Sequence, residues 1–236
     1  MDRITRKDLK SDKFALEVEH TVGFLSHHRK ESVRYGIVAV AAVALVVGIF
    51  AFRSYQHRSR QAALNAALEI MRAPVGPPVD EFTRSFPTAQ EKDSVLVKAF
   101  TDLATKHAGS DEGYIAEYYL GTAAAERGQA LEAGKWLQDV AANAPANYAS
   151  LAKLSLADLY RSQGKVSEGE KLLRELMAKP TDFVSKEQAT IALGQLLIPS
   201  NPAEARKLLD PLRGSRTAIA QAAIGAAAEL GPVVRK

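Results

Sequence analysis

The sequence predicts an all-α chain: a single N-terminal transmembrane helix followed by an α-solenoid of about three to four stacked helix pairs. Three observations carry this. Eighteen consecutive residues, Tyr35 to Phe52, contain no charge. A pattern of Leu, Gly and Ala then recurs at a spacing of thirty-six residues in the second half of the chain. Between the recurring segments stand Gly and Pro residues, which interrupt helices.

The uncharged run is the first element. At 1.5 Å per residue an eighteen-residue helix covers about 27 Å, close to the roughly 30 Å hydrocarbon core of a bilayer. Its Val, Ala, Leu and Ile show no polar face, whereas a helix of a globular domain normally keeps one. The thirty-four residues before it are too long and too acidic for the n-region of a cleaved signal peptide, so the run reads as a retained signal anchor. Ahead of it, Phe14, Val18, Val22 and Leu25 recur at helical spacing, which predicts an amphipathic helix in the segment 1–34.

Charge is distributed around this anchor. The chain carries a net +4, but residues 1–34 hold eight Lys/Arg against six Asp/Glu and residues 53–72 hold four against one. Everything after residue 72 is close to neutral. The basic character thus belongs to the membrane flanks, where cations meet anionic headgroups, and no basic stripe is left for a phosphate backbone. Nucleic acid is therefore not an expected partner. The Lys/Arg excess before the span predicts an N-terminus in the cytoplasm and a soluble domain on the far side. The chain has no cysteine, which excludes thiolate metal sites and thiol catalysis.

The segment 53–72 has no Gly or Pro and places Ala63, Ala67 and Ile70 on one side, so the helix is expected to continue beyond the bilayer. Pro74, Gly76, Pro77, Pro78 and Pro87 then make 73–87 a Pro-rich insertion, and helical pattern resumes near Thr88. The remaining 88–236 is the repeat region with a terminal helix. Leu120, Gly121, Gly128, Ala133 and Leu137 reappear as Leu156, Ala157, Gly164, Gly169 and Leu173. A third copy reads Leu193, Gly194, Ala205 and Leu209, with a turn at Pro199 to Pro202. Small residues at 121, 157 and 194 let two helices approach closely, and Gly128 and Gly164 supply positive φ at the turns.

These positions resemble the tetratricopeptide repeat: Ala116, Leu120, Gly121, Gly128, Ala133, Leu137 and Pro145 match that family's pattern in register across about 114–212. Phe100 and Leu103 resemble the second helix of an earlier degenerate copy with 55–72 as its first, and Thr217 to Leu230 resembles a capping helix. The aromatic expected near the end of the first helix is Tyr160 in copy two but Ala124 and Leu197 in copies one and three.

Catalytic signatures are near-misses. Gly128 to Lys135 has five residues between its glycines where a phosphate-binding loop needs four, and Trp136 stands where a Ser or Thr must hold magnesium. His27, His28 and Glu31 cannot converge on a metal, because adjacent side chains on a helix diverge by about 100°. No cofactor and no enzyme activity are expected. Stacked helix pairs instead build a groove for a segment of another protein. In tetratricopeptide arrays the first helix of each pair lines the concave face, and the register puts Tyr118, Thr122, Glu126, Leu154, Asp158, Arg161 and Gln195 there. Tyr118 beside Leu154 is the expected anchor of the interface.

A short cytoplasmic segment, one span and a helical repeat domain resemble, as an architecture, the ancillary translocon subunit family of bacterial inner membranes. The resemblance implies a periplasmic repeat domain that associates with the SecYEG channel and with a membrane-anchored periplasmic chaperone. A structural scaffold of an envelope complex, without client handling, is the reading from another class.

Overall fold

The computed structural model describes residues 29–77, 84–214 and 218–230, and among these the fold is helical throughout. The amphipathic segment around Phe14 to Leu25 lies outside the described residues. The first helix, α1, runs Arg29–Arg72. By its contacts the chain divides into two compact units, Met1–Arg58 and Ser59–Lys236.

In the first unit no side chain of the uncharged run is buried. Its large apolar residues from Tyr35 to Phe52 are 51–75% exposed. A water-soluble helix does not hold such a surface in contact with solvent. α1 is one helix long and apolar enough to cross a membrane.

The second unit is built of helices packed on their chain neighbours. The C-terminal turns of α1 bury Ala67 against Phe100, Leu103 and Ala104 of α2 (Ala89–Lys106) and Ala116 and Leu120 of α3 (Asp111–Glu126). The buried stripe of α1 runs through Leu64, Ala67, Leu68 and Ile70; Ala63, expected on it, faces solvent because Leu64, one step round the helix, offers more apolar area to the same cluster. Two polar contacts fix this corner. Arg60 Nε donates to the buried Glu112 carboxylate at 3.0 Å, and Lys92 Nζ donates to the Ala73 carbonyl at 2.6 Å. Within the Pro-rich stretch, Val75 and Phe86 form an isolated parallel bridge, and Phe86 packs on Ile70 and Val95. Thr88 then caps α2 by accepting from the Glu91 amide.

Three helix pairs follow: α3 with α4 (Ala130–Asn143), α5 (Ala146–Ser162) with α6 (Val166–Ala178), and α7 (Lys186–Leu197) with α8 (Pro202–Leu209). The thirty-six-residue pattern is visible in the packing. Leu120, Leu156 and Leu193 are buried at equivalent places, as are Leu137, Leu173 and Leu209. A Cβ added at Gly121 would stand 2.7 Å from Leu137 Cγ, and one at Gly194 would stand 2.7 Å from Leu209 Cγ, so the closeness of each crossing depends on the missing side chain. Gly128 and Gly164 adopt φ of +73° and +71° at the turns within the first two pairs. Pro145 and Pro180 follow the ends of α4 and α6.

The third pair departs from the others. α8 gives way to a 3-10 turn, Asp210–Gly214, because Pro211 has no N–H to continue an α-helical ladder. The terminal helix α9 (Ala218–Ala228) lays Ala223 and Ala226 on Ile191 and Leu209, closing the end of the array.

Candidate protein-binding groove

The first helices of the three pairs, α3, α5 and α7, each turn one face into the core and leave the opposite face open. On α3 the residues Ala116, Leu120 and Ala124 are buried, which rotates Tyr118, Thr122 and Glu126, four apart, towards the outside. α5 buries Ala152, Leu156 and Leu159 and so presents Leu154, Asp158 and Arg161.

Two hollows lie side by side along this face. One, of about 300 Å3, is an open hollow bordered by α5, α7 and α9 and lined by Leu154, Asp158, Arg161, Gln188, Ile191 and Gln195, with Ala222 also on its wall. The other, of about 390 Å3, lies between α3 and α5 and is lined by Thr122, Glu126, Leu154, Ser155, Asp158 and Ser162. Leu154 and Asp158 form the wall shared by both. Six of the seven residues placed on the groove by register therefore line these hollows.

Tyr118 lines neither. Its ring packs edge-on against Tyr148, centroids 6.2 Å apart, and against its neighbour Tyr119. Tyr119 in turn stacks on Phe100, and Tyr148 meets Phe183 at 5.4 Å. An aromatic row thus links α2, α3, the start of α5 and the loop before α7. Burial pushes the Tyr148 phenol above its ordinary pKa, with the phenols of Tyr119 and Tyr118 adding to the effect, so the hydroxyl keeps its proton.

Residues that the repeat register had left aside complete the hollows. Gln188 and Ile191 stand seven and four residues before Gln195, on the same face of α7, so helical spacing alone could have found them. Ala222 had no such signal, since α9 lies outside the repeat. Asp158 Oδ1 accepts from Arg161 Nε at 3.0 Å and Nη2 at 2.7 Å, an exposed i,i+3 pair that contributes at most about 0.5 kcal/mol to stability.

Beneath the groove, Glu117 is turned to the opposite side of α3. It is 5% exposed, and its Oε2 has no hydrogen-bond partner. Burial, then a hydrogen bond and repulsion from Asp139 of α4, raise its pKa from 4.5 to about 7. The pair of acids lies in the interface of α3 and α4, away from either hollow. Among the described residues no group of three or more His, Cys, Asp or Glu converges as a metal site. His27 and His28 lie outside them.

Helix pairs stacked in register, with an open face on their first helices, define a repeat solenoid of the protein-interaction class. A family model described as tetratricopeptide repeat-like domain matches residues 33–191, and the chain belongs to that family. Such domains are typically non-catalytic modules for protein–protein interaction. No curated protein and no solved structure matches the chain.

Proposed function

We propose that this protein is anchored in the bacterial cytoplasmic membrane by residues 35–52 and uses the face of α3, α5 and α7 to hold a segment of another protein. The N-terminus lies in the cytoplasm and the repeat domain on the periplasmic side. The observation that carries the reading is the pair of adjoining hollows that share Leu154 and Asp158. Anchoring is supported by the exposed apolar surface of α1, and by the family match, which begins at residue 33 beside the uncharged run and extends unbroken into the repeats.

Within that class we place the chain as an accessory subunit or chaperone-like adaptor beside the protein-export translocon. Its partners would be the SecYEG channel and a membrane-anchored periplasmic chaperone. The support is architectural resemblance, which assigns no binding residue by itself. The groove residues are Tyr118, Thr122, Glu126, Leu154, Asp158, Arg161 and Gln195, with Tyr118 acting from the aromatic row at the groove edge.

Affinity capture of the full chain from detergent-solubilised membranes tests this. The channel and chaperone subunits are expected to co-purify, and alanine at Tyr118 and Arg161 together is expected to weaken capture while helical content and membrane insertion stay intact. Recovery of a fixed stoichiometric complex lacking both would make the chain a structural scaffold. Loss of capture through substitutions at Phe14, Val18 and Val22 alone would move recognition to the N-terminal segment.

A further inference from the structure

The two hollows differ in chemistry, and the difference specifies what fits them. The one between α3 and α5 is rich in hydrogen-bond acceptors, with the Ser155 hydroxyl able to donate or accept beside them. Thr122 Oγ1 donates to the backbone carbonyls of Tyr118 and Tyr119 at 3.2 and 3.0 Å, and Ser162 Oγ donates to the Leu159 carbonyl at 2.7 Å. Their protons are thereby committed, and each oxygen is left as an acceptor. The carboxylates of Glu126 and Asp158 offer acceptor oxygens to the same wall. Glu126 has no ion-pair partner among the described residues, and the cation next to it, Arg127, is turned away to Asp93 and Gln129. Asp158 meets Arg161 through Oδ1 alone, so its Oδ2 remains open. The Asp158–Arg161 pair cancels its own charge and leaves the carboxylate of Glu126 as the field of the hollow.

The neighbouring hollow is apolar at its base, with Leu154, Ala157, Ile191, Ala192 and Leu196. A surface with an acceptor-rich negative hollow beside an apolar one is complementary to a donor-bearing cation beside an apolar side chain. We propose that the groove takes a basic amphipathic segment of a partner polypeptide, its Lys or Arg entering the hollow between α3 and α5 and an apolar side chain entering the hollow between α5, α7 and α9. This rests on the groove reading above and adds the partner's chemistry. Neighbouring helices lie about 10 Å apart. That is three residues of extended chain at about 3.3 Å each, or seven of helix at about 1.5 Å each, and it sets the spacing between the cation and the apolar side chain.

The probe is a set of synthetic ten-residue peptides. Each carries one Leu or Phe, with Lys, Arg, Asp or Glu three or seven positions away, and all are presented to the full chain in lipid nanodiscs. Peptides with Lys or Arg are expected to be retained about tenfold better than those with Asp or Glu, the scale of one charged hydrogen bond at a half-open site. Raising salt should shrink that ratio. Glu126→Gln should reduce it to about two- or threefold, and Glu126→Lys should reverse it; both changes are at an exposed position and leave the core untouched. An unchanged preference in Glu126→Lys, or a wild-type preference for acidic peptides, overturns the charge assignment. The groove reading survives that result if Leu154→Ser still abolishes retention. If no peptide is retained by the wild type, the groove reading itself fails, and this inference with it.

Discussion

A carboxyl group sealed between two helices either finds a cation or keeps its proton, and Glu117 faces another acid. Its pKa of about 7 against an ordinary 4.5 means that the folded chain binds a proton which the unfolded chain releases. Stability from this group is complete below pH 4.5, declines as pH rises through 7 and is absent above. Glu117→Gln keeps the shape and removes the titration. The difference in melting temperature between the two proteins should therefore grow in favour of the variant from pH 5 to pH 8, and parallel curves over that range would show that Glu117 does not hold the proton. Gly121 poses a steric problem of the same scale. With Leu137 fully buried and 2.7 Å from where a Cβ would stand, Gly121→Leu is expected to cost roughly 1 to 3 kcal/mol by overpacking. Chemical denaturation reads that directly, and an unchanged midpoint would mean that α3 and α4 cross elsewhere.

At the scale of elements, local signals decide where helices begin and turn. Ser185 accepts from the Gln188 amide while Gln188 Oε1 accepts from the Ser185 amide, a reciprocal cap on α7. Ser185→Ala should cost about 1 kcal/mol in thermal unfolding and leave the helical signal nearly unchanged. A loss of several kcal/mol would show that the cap holds more than its own helix. Such features are legible in sequence because they depend on neighbours within four residues: the turn glycines 128 and 164, the prolines 145 and 180, and the helix restart at Thr88 all could be read in advance. Features set by distant partners could not. Which of Ala63 and Leu64 is buried is decided by Phe100 and Leu120, more than thirty residues away. Tyr118 shows the same limit at the groove. Register places it beside Leu154, but the rings of Tyr119 and Tyr148 hold it in an aromatic row that no periodicity announces. The helix that supplies Ala222 was legible as a terminal cap, but lying outside the repeat it has no register to say which of its residues meets the hollow.

For the whole molecule the decisive quantity is on which side of a bilayer the groove lies, since that determines which proteins can reach it. The segment before the uncharged run holds eight Lys/Arg and the twenty residues after it hold four. Translocating a cationic flank is disfavoured, so under the proposed orientation the more basic side would stay in the cytoplasm and the repeats would be carried across. In inverted-orientation vesicles the repeat domain should then be protected from added protease until the membrane is opened, whereas in spheroplasts it should be cut. Adding four lysines after Phe52 while neutralising Arg29, Lys30 and Arg34 reverses the asymmetry, and a fraction of molecules should change sides. The two experiments separate the causes. A repeat domain cut from the cytoplasmic face in the wild type refutes the orientation, whereas a wild type with the expected protection and a charge-reversed variant identical to it would mean that folding or partners, not flanking charge, fix the topology. Glu126 and Asp158 would present the same acceptors on either side, but only on the periplasmic side would the basic segment they are proposed to hold belong to an exported or membrane-anchored protein.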